Sequence, residues 1–173
     1  MTPTPHWLPA RRYWQAHLIS PEKDWVLSRG SLTAYLINLS QHHFKVQVLH
    51  QGWQRPTLDE CLTLRMPPGQ RAWIREVALV GQGQVWVRAR SIIPVHTLSG
   101  KGRRLRFLGS RSLGSLLFNG GKRGDMLIHR QLDQGQVRWT RRSCFYYGGQ
   151  PLLVQEQFLP ALFAAASQQQ VKP

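Results

Sequence analysis

Apolar positions recur along this chain with two different periods, and each period predicts a kind of element. Leu32, Tyr35, Leu36 and Leu39 follow one another at helical spacing, with Ser31 after Gly30 placed to cap the first turn. A second short helix is predicted from Ser112 or Leu113 through Phe118, ending before Asn119-Gly120-Gly121. Residues Arg11 to Leu18 are compatible with a first helix. The remaining pattern has the period of strands. His43 to Leu49 alternates, Ala72 to Val80 and Gln84 to Val95 flank Gly81-Gln82-Gly83, and Asp125 to Gln131 and Gln136 to Tyr146 flank Asp133-Gln134-Gly135. A last strand is expected over Leu152 to Leu159, between Gly148-Gly149 and Pro160. About six strands in hairpin order, with few helices, indicate an α+β fold built on a single antiparallel sheet. The proline-rich start and the segment from Ala164 to Pro173 are expected to fray.

Strand alternation also exposes two charges on the wrong faces. Leu152, Val154, Glu156 and Phe158 share one face of the last strand, and Glu156 is its only polar member. Trp73, Arg75, Val77 and Leu79 share a face in an earlier strand, and Arg75 is its only charge. A buried carboxylate must be protonated, hydrogen-bonded or paired, and a buried guanidinium needs an anion. Two arrangements satisfy them. Arg75 could pair with Glu156, or with adjacent Glu76 around a strand edge. Alternatively, Arg75 could hold a substrate carboxylate in a closed pocket while Glu156 meets a polar group across it. On pattern alone the buried pair is the simpler arrangement. The helix starts at Gly30-Ser31-Leu32 and Arg111-Ser112-Leu113-Gly114 add free N–H groups, which would favour an anion if they converge near Arg75.

Composition narrows the classes. The chain has 173 residues, is 42% hydrophobic and carries seven tryptophans, enough for one domain over residues 1–173 with a packed core. Lys and Arg total 23 against 8 Asp and Glu, a net charge of +15 that attracts anions without naming one. Cys61 and Cys144 form neither a disulfide framework nor a zinc spacing. No apolar run is long enough to span a membrane, and Met1 to Pro5 do not resemble a secretory leader. A reduced, cytoplasmic protein is therefore expected. The seven histidines are scattered, Ser99 and Ser143 lack a nucleophile elbow, and Gly120 to Gly124 reads as a flexible basic turn without Walker spacing. Two basic clusters, Lys101 to Arg106 with Arg111, and Arg138 with Arg141 and Arg142, could contact single-stranded nucleic acid. No recognition motif accompanies them, so a solvated basic face is the expectation.

Several segments, in order, resemble the chorismate lyase family. They are Arg71-Ala72-Trp73-Ile74-Arg75-Glu76-Val77, Ile93-Pro94-Val95-His96-Thr97-Leu98-Ser99-Gly100, Leu113-Gly114-Ser115-Leu116-Leu117-Phe118, Arg141-Arg142-Ser143 and Pro151-Leu152-Leu153-Val154-Gln155-Glu156-Gln157-Phe158-Leu159-Pro160. The resemblance runs from about residue 25 to residue 160. It implies an antiparallel sheet with helical flaps over an internal site. The implied enzyme needs no cofactor or metal and cleaves chorismate into 4-hydroxybenzoate and pyruvate for ubiquinone synthesis. The family's functional positions fall on Arg75 and Glu156, with backbone contacts from the positions of Leu32 and Leu113. Leu32 replaces a methionine common in the family, which a backbone contact tolerates. With the resemblance in hand, the pocket replaces the buried pair as the expected arrangement. A monomer without a stable nucleic-acid or membrane partner is expected, and a slowly released aromatic product implies product inhibition. The alternative is a sensor-like domain of similar fold that binds an aromatic acid without converting it. Such sensors normally carry a helix-turn-helix domain, for which this chain has no room.

Overall fold

A computed structural model describes residues 6–13, 21–169 and 173. Among these residues seven strands form one sheet: β1 (Leu8–Pro9), β2 (Phe44–Gln54), β3 (Ala72–Gly81), β4 (Gln84–Pro94), β5 (Gly121–Asp133), β6 (Gln136–Tyr147) and β7 (Gln150–Phe158). Their spatial order is β1-β5-β6-β7-β4-β3-β2, and every neighbouring pair is antiparallel. Both predicted hairpins form. Their turns place Gln82 and Gly83 at φ 51° and 79°, and Gln134 and Gly135 at φ 48° and 79°, matching the twist that two-residue hairpins require. The seventh strand, the two-residue β1, adds to the six expected and is too short for alternation to show. Residues Gly121 to Gly124, expected as a flexible basic turn, instead open strand β5, paired from Gly121↔Tyr147 onward.

Among the described residues five α-helices accompany the sheet: α1 (Glu22–Val26), α2 (Leu32–Leu39), α3 (Leu58–Leu64), α4 (Leu113–Gly120) and α5 (Pro160–Gln169). Ser31 caps α2 as predicted, accepting from the Ala34 amide, and Ser112, one of the two predicted starts of α4, is its cap and accepts from the Gly114 amide. Helix α5 replaces the expected fraying over Ala164 to Gln169. Its Leu162 and Ala166, one turn apart, are buried against the core. Of the helix expected over Arg11 to Leu18, Arg11–Tyr13 belong to a 3-10 turn, and residues 14–18 lie outside the described residues, as do 1–5 and 170–172.

The helices divide unequally between the sheet's faces. One face carries Val77, Leu79, Val87, Trp139 and Phe158, packed against α1, α2 and α5. Farther along the same face, Leu152, Val154 and Phe145 meet Leu113 and Leu117 of α4. On the opposite face, Ala72, Ile74, Ile92 and Leu153 are covered by Cys61 and Leu64 of α3. Between the two apolar groups of the first face lies a cavity.

Candidate active site

The sheet supplies the floor of this cavity, and the beginnings of α2 and α4 close it. Arg75, Glu156, Leu32 and Leu113, the four positions singled out from the sequence, all line it. Convergence of the two helix starts has a local cause. Thr33 Oγ1 lies 2.6 Å from Ser112 Oγ, which joins the first turn of α2 to the cap of α4. Gly114 permits the approach: a Cβ there would stand 3.1 Å from Thr33 Oγ1 and 3.4 Å from Ser112 Oγ. Leu32 and Leu113 are the first residues of their helices, where an N–H has no intrahelical acceptor.

Arg75 is only 2% exposed. Its Nη1 donates to Gln51 Oε1 at 3.1 Å, and its Nη2 donates to the Arg111 carbonyl at 3.0 Å. Both acceptors are neutral. Burial lowers its pKa, because removing a cation from water disfavours the charged form. Directly across the ladder, buried Ser91 also lines the cavity.

Glu156 does not pair with Arg75, and Arg75 does not pair with Glu76. The Glu156 carboxylate accepts from Arg141 Nε at 2.7 Å, because β6 and β7 place Arg141 and Glu156 directly opposite one another. Glu76 pairs instead with Arg90, its cross-strand neighbour, at 2.6 Å. Arg141 is fully buried and also donates to the Ser28 carbonyl at 2.8 Å, fixing the segment just before α2.

This corrects the expectation of a solvated basic face at Arg141 and Arg142. Arg141 is held by Glu156, and Arg142 on the other face pairs with Asp59 of α3. The expectation is met at Arg103, Arg104 and Arg106, which are exposed, with Arg106 lying over the rings of Trp53 and Trp73. Sequence reasoning passed over a third arginine at the site, Arg123 of β5, which lines the same cavity.

The remaining lining is largely apolar, with Val46, Val77, Leu79, Val154 and Phe145 among it. Among the described residues no three His, Cys, Asp or Glu side chains converge as a metal site, and Cys61 and Cys144 are unpaired. No helix among them is long and apolar enough to cross a membrane. The arrangement can hold a small anionic ring: cations and free amides for its charge, apolar walls for its faces, and one carboxylate for a hydroxyl.

A model of the chorismate lyase family matches residues 6–168. A protein of Marinobacter nauticus named "Probable chorismate pyruvate-lyase" is 41% identical over 83% of this chain and 78% of its own length. One from Pseudomonas entomophila, named "Probable chorismate pyruvate-lyase 2", is 40% identical over 94% of this chain and 92% of its own. Among solved structures, a GntR-family transcriptional regulator from Bacillus cereus shares the fold at a TM-score of 0.53. It is 12% identical, and the match covers 70% of this chain and 94% of that one.

Proposed function

The chain belongs to the chorismate lyase family and is an enzyme of the lyase class, and from that premise we propose that it cleaves chorismate into 4-hydroxybenzoate and pyruvate. The observation that carries this reading is the meeting of Arg75, Glu156 and two helix starts in one cavity. Arg75, whose bonds among the described residues run to neutral acceptors, would take the ring carboxylate, joined by the amides of Leu32 and Leu113. Glu156 would face the 4-hydroxyl at the other end of the ring.

In the reaction the C4–H and C3–O bonds break, the ring becomes aromatic, and a proton reaches the methylene carbon of the departing enolpyruvyl group to give pyruvate. Aromatisation drives this, so the protein's work is holding the ring and keeping water away from it. A carboxylate already paired with Arg141 supports a role for Glu156 as acceptor for the hydroxyl, orienting C4. The same contacts would hold the product, an aromatic acid, and so support product inhibition. We place this activity in the cytoplasm, at the head of ubiquinone synthesis, in a monomer; the unpaired cysteines suit a reducing compartment.

The test is to incubate purified protein with chorismate, following 4-hydroxybenzoate by absorbance and pyruvate by a coupled assay. Stoichiometric formation of both is expected. Folded protein that binds chorismate without turning it over would sink the lyase reading and leave a ligand-binding domain.

A further inference from the structure

Resting on the chorismate reading above, we propose that Arg123 binds the second carboxylate of the substrate, the one on the enolpyruvyl group. Two arginines, Arg75 and Arg123, line the cavity, and a third, Arg141, stands behind its carboxylate, Glu156. Arg141 is matched by Glu156 at 2.7 Å. Arg75 and Arg123 line the cavity with no carboxylate within 4 Å among the described residues. With Glu156 cancelled by Arg141, the cavity wall carries two uncompensated positive charges. A dianion matches that balance; a monoanion such as 4-hydroxybenzoate leaves one cation unmatched.

The placement agrees with the shape of such a dianion. Arg75 enters from β3 and Arg123 from β5, with β6, β7 and β4 between them, roughly 19 Å of sheet. The two long side chains therefore reach the cavity from opposite sides, and Glu156 of β7 sits between them. If the ring carboxylate lies at Arg75 and the 4-hydroxyl at Glu156, the substituent on the neighbouring C3 points toward the Arg123 side.

The guanidinium is also held ready. It lies 5.0 Å over the ring of Phe145, its cross-strand partner, and among the described residues its side chain donates a single hydrogen bond, of 3.3 Å, to the Arg29 carbonyl. Burial and the nearby charges of Arg141 and Arg29 lower its pKa, with Glu156 opposing. An arriving carboxylate would relieve both. Its counter-ion then departs with pyruvate, so Arg123 would contribute to binding substrate and not to binding the aromatic product.

That asymmetry is the test. For Arg123→Met, kcat/KM for chorismate should fall roughly fiftyfold, the loss of one charge-assisted contact, while the inhibition constant of 4-hydroxybenzoate stays within twofold of wild type. Arg123→Lys should recover part of the lost kcat/KM. Unchanged kcat/KM in Arg123→Met overturns the inference, as does an equal loss of substrate and product affinity in both variants. A wild-type protein that does not turn over chorismate would overturn the parent reading instead, before any variant is made.

Discussion

The two faces of the sheet treat their arginines in opposite ways. Under α3, Arg90 is held by Glu60 at 2.8 Å and by Glu76 at 2.6 Å, and Arg142 by Asp59. Gln155 donates to Glu60 as well, at 3.1 Å. Arg90 and Arg142 there each have an acid, and two of the three acids, Asp59 and Glu60, come from the first turn of α3, where they also suit the helix N-terminus. Of the cavity-side arginines Arg75, Arg123 and Arg141, among the described residues only Arg141 has one. On the function proposed above, the difference separates charges that hold the fold from charges left for a ligand. A guanidinium matched by a carboxylate has its charge largely offset, whereas one bonded only to neutral acceptors does not.

Substitutions on the two faces should therefore fail differently. The largest effect is expected on the α3 face. Glu60→Ala leaves Arg90 with one acid, removes an acceptor from Gln155 and breaks the capping box with Thr57. A loss of about 3 kcal/mol of stability is expected for removing a buried, paired acid. Thermal unfolding should show it as a lowered Tm, while KM for chorismate at permissive temperature stays unchanged. A rise in KM equal to that of a cavity variant would erase the distinction between the faces.

Arg75→Met should do the reverse. We expect kcat/KM to fall by about 2–3 kcal/mol, roughly a hundredfold, from losing a charge-assisted contact. Product affinity should fall by a similar factor, in contrast to Arg123. Its Tm should hold or rise, because an unmatched buried cation is removed. Intact activity would sink the carboxylate assignment. Glu156 stands between the two classes, since it lines the cavity and also neutralises Arg141. Glu156→Gln keeps a hydrogen-bond acceptor, so turnover within about tenfold of wild type is expected if orientation is its role. Loss of several orders of magnitude would assign it proton transfer.

Alternation made half of this contrast legible in the sequence. Arg75 and Glu156 stood out as lone charges on apolar strand faces, and both line the cavity. Arg141 obeys the same rule. With Val137, Trp139, Ser143 and Phe145 it shares a face that is mostly buried, but its neighbours in sequence made it look like part of a basic cluster. What alternation cannot supply is the partner. Face follows from one strand, whereas the Arg141–Glu156 pairing follows from the register of two. Helix α3 was missed despite a sequence signal, the Thr57-Leu58-Asp59-Glu60 capping pattern. Helix α5 was missed because its Ala- and Gln-rich composition hid the Leu162 and Ala166 pair.

The smallest expected effect tests whether the helix starts belong to the ligand-facing class at all. Gly114→Ala adds a methyl 3.1 Å from Thr33 Oγ1, so the first turns of α2 and α4 must part by a few tenths of an ångström. The gain in helix propensity, up to about 1 kcal/mol, offsets the crowding, and stability should barely change. Displacing the Leu113 amide should nonetheless raise KM and the inhibition constant of 4-hydroxybenzoate together by a few-fold, since both ligands share the ring carboxylate. Thr33→Val, which removes the 2.6 Å bond to Ser112 without adding bulk at α4, should act in the same direction. If neither variant moves either constant, the amides of Leu32 and Leu113 take no part in binding, and Arg75 carries the ring carboxylate alone.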